Sequence, residues 1–355
     1  MASSKILAIG VVAVVVIAAV AVCIIVANNN NEESGIKITN TDGTTTTIPE
    51  VAEKIAVMNV NTAEAIIDIG AGKKVVGVSS TAFGRAEYKS EFAEDVINLG
   101  TSTSPSLDKI VECNPDVVIA FSTMKLKNQD QVEKLGYPVL YLDCYNIYND
   151  QIFKDVENLG KALGLEESAK KYIDYFKGKM DKINEYVSKV SADDRSNMKI
   201  YAEFSSVNYE TGYCGQQKGT STDGILSFLG VNSVTKDVPY PDHVSSEFIA
   251  QSNAQYIVKI YDTTKADKDS VLSEVANRPF ISTLPAKTSG EIYLMNNQIS
   301  YGPRMFVACF AFFEIMFPTQ AAESGMTIAG LLKDYNDTFG VSFNTTIPIV
   351  VKYAG

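Results

Sequence analysis

The residues that could carry chemistry in this 355-residue chain are few: one histidine, four arginines, five scattered cysteines, and two acids placed alike in two similar segments. His243 stands alone, and zinc sites draw on several His or Cys ligands, so no metal site built on imidazoles is expected. Cys23, Cys113, Cys144, Cys214 and Cys309 show no CxxC spacing and no disulfide framework. Asp242 beside His243 makes half a triad at best, because sequence neighbours rarely face each other. There is no GxSxG elbow, no phosphate loop and no nucleotide fingerprint: Gly70-Ala-Gly72 reads as a helix stop, and residues 212–219 lack the lysine spacing of a phosphate loop. The chain is therefore read as a non-enzyme, with no cofactor and no metal of its own. Its 31 basic and 42 acidic residues give a net charge of −11, which leaves no footprint for nucleic acid. Recognition falls to Arg85, Arg195, Arg278 and Arg304, to 18 Tyr and to 16 Phe, since Trp is absent.

The two acids are Asp108 and Glu247. The segment from Ser106 to Ile119 aligns without a gap on the segment from Ser245 to Val258, pairing Asp108 with Glu247, Ile110 with Ile249 and Asn114 with Asn253. Each copy reads as a helix leading into a strand, with the acid in the first helical turn. The helix dipole alone favours an acid there by about 0.3–1 kcal/mol. Its recurrence at equivalent places in two halves points to a paired surface.

The elements that must position these residues alternate. An Asp42-Gly43 turn between β-branched runs marks a hairpin over residues 36–48. Short apolar strands then alternate with amphipathic helices: strands at 55–60, 75–78, 117–121 and 139–142, helices at 62–69, 106–113 and 129–135. That is the signature of a parallel sheet covered on both faces. The second half repeats it, with strands at 199–204, 256–260 and 292–294 and a helix at 222–229. Between the halves, apolar positions at Ile173, Phe176, Met180, Ile183, Val187 and Val190 predict one long helix. The expected division is a membrane anchor or signal segment over 1–27, a linker over 28–35, an α/β lobe over 36–165, an inter-lobe helix over 166–191 and a second α/β lobe over 192–355. The uncharged run of residues 6–27 is long enough to cross a bilayer, with a cleaved signal or a lipidated Cys23 as alternatives. Lys5 on its short side places the body of the chain outside the cell.

These segments resemble the extracytoplasmic solute-binding proteins of ABC importers that carry iron–siderophore complexes, haem and cobalamin. The resemblance runs from about Ile36 to about Phe339. It rests on Lys54-Ile-Ala-Val-Met-Asn59, Val75-Val-Gly-Val-Ser79, the segment from Ser106 to Ala120, the long helix, Val244-Ser-Ser-Glu247 and Gly302-Pro-Arg304. It implies two α/β lobes with parallel sheets joined by one rigid backbone helix. It further implies an acid from each lobe docking on the importer permease, here Asp108 and Glu247; the family usually has Glu at both places.

Ligands of parallel α/β sheets bind beyond the carboxyl ends of the strands. The loops there offer Asn59, Ser80, Phe83, Arg85, Ser122, Met124 and Tyr145 in the first half, and Tyr209, Tyr213, Tyr240, Tyr261, Tyr301 and Arg304 in the second. Arginines beside tyrosines suit an anionic, aromatic or macrocyclic ligand. A metal already wrapped in a chelator needs no protein imidazole, so a ferric siderophore or a corrinoid leads. Haem comes next, with His243 or a cleft tyrosine as axial ligand. The alternative is a surface-anchored sensor that uses the same domain without a permease. The tail after Phe339 reads as one more β-rich segment.

Overall fold

The computed structural model describes residues 35–204, 213–216, 218–238 and 244–354. The apolar run of residues 6–27, Tyr209, Tyr240 and His243 lie outside them. Among the described residues no helix is long and apolar enough to cross a membrane. Strands β1 (Ile36–Thr39) and β2 (Thr45–Ile48) form the expected antiparallel hairpin. Next come β3 (Ile55–Val57), β4 (Val75–Ser79), β5 (Ile97–Thr101), β6 (Ser104–Pro105), β7 (Val117–Ala120) and β8 (Val139–Tyr141). They build a six-stranded sheet in the order β6-β5-β4-β3-β7-β8, parallel except for the β5–β6 edge pair. The second sheet contains β9 (Lys199–Glu203), β10 (Asn232–Ser233), β11 (Tyr256–Tyr261), β12 (Ile292–Asn296) and β13 (Val350–Lys352), in the order β10-β9-β11-β12-β13. The tail thus supplies β13, antiparallel to β12 at the sheet edge.

One helix, Glu166–Val187, lies between the two sheets in the chain and buries Ala169, Tyr172, Phe176, Met180, Ile183 and Val187; it stops at the Ser188 cap, short of the expected 166–191, and leaves Val190 beyond its end. It packs against Met305–Met316, an almost wholly apolar helix whose every residue but Glu314 is buried. An element apolar all round can only be stable inside, and this one ties the cores of both lobes into one hydrophobic cluster. The chain is therefore an α/β protein, as the alternation implies, with two lobes on a helical backbone, as the resemblance implies.

Asp155 fixes the exit of β8 to the hairpin. Fully buried, it accepts hydrogen bonds from the Thr41 hydroxyl (2.9 Å), the Gln151 amide (2.8 Å) and the backbone N–H groups of Asp143 (3.2 Å) and Cys144 (3.0 Å). Burial nevertheless pushes its carboxyl from 3.8 up to about 6. A carboxyl raised on folding contributes stability that is complete below its unfolded pKa and is lost as pH rises through the folded one. Asp155→Asn removes that contribution. Wild type should therefore exceed the variant most at pH 4, and urea midpoints should show the gap shrinking by about 2–3 kcal/mol by pH 7.

Candidate functional site

The lobes meet at a buried ion pair. Arg304, 2% exposed, donates from Nε to Glu64 Oε1 and from Nη2 to Glu64 Oε2, both at 2.8 Å, and from Nη2 to Glu87 Oε1 at 3.2 Å. The Tyr88 hydroxyl donates to Glu64 Oε2 at 2.6 Å, and the Phe343 ring lies 4.4 Å below the guanidinium. Beside it, the Tyr335 hydroxyl donates to buried Asp68, whose carboxyl burial and nearby Glu64 push well above the usual range. Phe343 also packs on Tyr88, and the Asn344 N–H lies 3.5 Å from Glu87 Oε2, so the tail crosses from one lobe to the other before joining the second sheet as β13. Gly302, at φ +100°, brings its backbone against Asn61 of the first lobe; a Cβ there would lie 3.2 Å from Asn61 Oδ1. Arg304 thus braces the lobes and does not stand open to a ligand.

Asn59 is likewise committed. It is fully buried and caps the helix Val60–Asp68 through its Oδ1, while Nδ2 donates to the Leu142 and Asp143 carbonyls at 3.0 and 3.1 Å. A side chain with these bonds holds the loop after β3. Tyr261 donates its hydroxyl to Asp267 (2.8 Å) under Lys265, and Tyr213 packs on Phe280 and the Arg278 guanidinium. Both belong to the apolar cluster on the second sheet.

The remaining loop residues line the carboxyl ends of the strands. Ser80 and Phe83 lie on a short helix after β4, exposed, with Ser80 Oγ donating to Asn98 Oδ1 at 2.9 Å. Ser122 bonds Asp143 through both its N–H and its hydroxyl, each at 2.7 Å, which ties the ends of β7 and β8 together. Burial raises the Asp143 carboxyl, and these two bonds oppose the rise. Met124 is 49% exposed, and Tyr145 is half-buried.

Arg85 of the first lobe and Tyr301 of the second are coupled electrostatically. Burial pushes the Tyr301 phenol up, and the charge of Arg85 pulls against it. Arg85 Nη1 is buried and has no hydrogen-bond partner among the described residues. Tyr301 packs at 6.2 Å on Phe204, a residue the strand assignment hid: β9 stops at Glu203, so Phe204 opens the following loop. Glu203 is itself pinned by Arg278 (2.6 and 3.1 Å) and by Lys259, all three buried. Among the described residues no three His, Cys, Asp or Glu side chains converge to hold a metal ion.

The paired helices of the two halves adopt one geometry. Leu107–Cys113 is capped by Ser106, whose Oγ accepts from Lys109; Ser246–Gln251 is capped by Ser245, whose Oγ accepts from Phe248. The first ends at Asn114 (φ 42°) and the second one residue after its Ser252 cap at Asn253 (φ 57°), both in the left-handed region, where Asn is tolerated. A helix leading into a parallel strand runs opposite to it, so the acid in its first turn lies at the carboxyl edge of each sheet. Asp108 and Glu247 are both exposed. The backbone N–H of Glu247 and the Ser245 and Ser246 hydroxyls hold its carboxyl below the usual range.

A family model described as periplasmic binding protein matches residues 55–299. The chain belongs to that family. This binding protein is 21% identical to the petrobactin-binding protein YclQ of Bacillus subtilis over 262 residues, covering 72% of the chain and 78% of YclQ. It is 22% identical to the ferric-anguibactin-binding protein FatB of Vibrio anguillarum over 216 residues, 58% of the chain and 64% of FatB. Its fold overlays the molybdate periplasmic binding protein MolA of a Haemophilus influenzae ABC transporter with a TM-score of 0.68. That match has 17% identity and covers 87% of this chain and 99% of MolA. Two α/β lobes on a helical backbone are thus the fold that this periplasmic binding protein shares with MolA.

Proposed function

We propose that this binding protein captures an anionic metal chelate, a ferric siderophore before a corrinoid or haem, between its lobes and delivers it to an ABC importer permease. Residues 6–27 would hold it on the outer face of the cell membrane. The observation that carries the ligand class is Arg85. A buried guanidinium nitrogen is costly without a partner; this one has none among the described residues and sits within electrostatic reach of Tyr301 from the other lobe. An anionic group of the ligand would pair with that nitrogen, while Tyr301 and Phe204 offer ring surface for an aromatic or macrocyclic chelator. Ser80, Phe83, Ser122, Met124 and Tyr145 form the facing rim. The siderophores in the names of YclQ and FatB support this ligand class.

Arg85→Ala tests it. Removing one charge-assisted contact should weaken binding of an anionic ferric siderophore about tenfold or more. Cyanocobalamin binding, if present, should change little. Tyrosine fluorescence titration reads both, since the chain has no Trp. Equal affinity of wild type and variant for every anionic chelate would remove Arg85 from the site.

A further inference from the structure

Five large apolar side chains are exposed among the described residues, and their placement is not scattered. Phe83 and Met124 lie on the rim loops of the candidate cleft. The other three lie on or beside the helices that carry the paired acids: Val111 (50% exposed) three residues after Asp108, Leu135 (46%) at the end of the neighbouring helix Gln129–Lys134, and Phe248 (41%) directly after Glu247. Neither helix uses these residues for folding. The first buries Ile110 and Cys113 on its sheet, and the second buries Ile249, so Val111 and Phe248 fall off the core-facing stripe. On the first lobe, Leu107, Asp108, Val111, Gln131, Lys134 and Leu135 enclose a shallow groove of about 410 Å³. On the second lobe Ser246, Glu247 and Ala250 stand at the places of Leu107, Asp108 and Val111, and exposed Phe248 stands where the first repeat has Lys109, outside the groove lining.

Building on the permease-docking reading of Asp108 and Glu247, we propose that docking on each lobe is a combined charge and apolar contact. The groove beside Asp108 receives an apolar side chain, and Phe248 beside Glu247 inserts one. The occupant is the importer permease, presenting a basic residue next to an apolar one at the first site and next to an apolar pocket at the second. Charge complementarity selects this partner: each apolar patch adjoins an exposed carboxylate, and Glu247 is held ionised by its hydrogen bonds. An aromatic anchor next to a charge is the composition of an interface hot spot. The apolar contacts set residence time, while the acids steer approach.

Photo-reactive benzoylphenylalanine, placed singly at positions 108, 111, 135, 247 and 248 of the full chain, tests this in cells that express the chain together with its importer. A probe at exposed Lys170 on the backbone helix is the control. Crosslinks to a permease subunit from 111, 135 and 248 as strong as those from 108 and 247, with none from 170, are expected. Phe248→Ser should then reduce the crosslink from 108 about tenfold. Labelling from 108 and 247 but not from 111, 135 or 248 would overturn the apolar contacts and leave acid docking standing. Labelling of no permease from any of the five positions would overturn both.

Discussion

Replacing Arg304 by alanine is expected to destabilise the protein by about 3–5 kcal/mol, because it leaves Glu64 charged and buried without its partner. Glu64 is 3% exposed, and after the change it keeps only the Tyr88 hydroxyl as a donor (2.6 Å). The Phe343 ring also loses the cation it stacks on. The loss should not be read as the worth of the ion pair. Burying two charges costs most of what their attraction returns, so removing both partners is far milder than removing one. Arg304→Met combined with Glu64→Gln, which keeps an acceptor for Tyr88, is therefore expected to recover most of the stability. Urea unfolding with unchanged slope and shifted midpoint would register both results. A single Arg304→Ala variant as stable as wild type would mean that the lobes are held by their shared apolar core alone.

The second large effect is on transport. Asp108→Arg with Glu247→Arg is expected to reduce uptake of the chelate to background while leaving its affinity for the purified protein unchanged. Like charges brought together at an interface cost several kcal/mol, and here the reversal acts on both lobes at once. Both side chains are exposed and make no ion pair with the rest of the described residues, so the cost to folding is confined to the helix dipoles and, at Glu247, to its hydrogen bonds in the first turn. Glu247→Arg alone should do more harm than Asp108→Arg alone, since aspartate reaches one methylene less far. Uptake of radioactive iron as its siderophore complex, measured beside a binding titration, separates the two quantities. Loss of affinity together with uptake would show that the substitutions had disturbed the cleft. Unchanged uptake would remove the acids from docking.

The two halves were legible because their signals are local. A serine cap, an acid in the first turn, an apolar stripe and a terminal asparagine all lie within a dozen residues, and the structure realises them twice with the same caps and the same left-handed Asn. The long helix was legible for the same reason, with Tyr172 taking the buried position beside half-buried Ile173. The inter-lobe brace was not. Glu64 and Arg304 are 240 residues apart, and nothing near either one announces the other. The rule that ligands lie beyond strand ends pointed to Asn59 and Tyr213 in loops and to Tyr261 at the last position of β11, but said nothing of where their side chains point. Each one is taken up by a cap, a ring stack or a carboxylate. Phe204 escaped notice because one residue decides whether it ends a strand or opens a loop. The tail's role depends on contacts with Tyr88, Arg304 and β12, all distant in sequence.

The most direct test of ligand capture is a titration of the purified protein, followed by tyrosine fluorescence or heat, against anionic ferric siderophores, ferric-free siderophores, cyanocobalamin and haemin. Saturable micromolar or tighter binding of one anionic ferric siderophore, weakened by Arg85→Ala, is the expected result. No saturable binding to any member of the panel, or binding confined to cyanocobalamin and indifferent to Arg85, would contradict an anionic chelate held between the lobes.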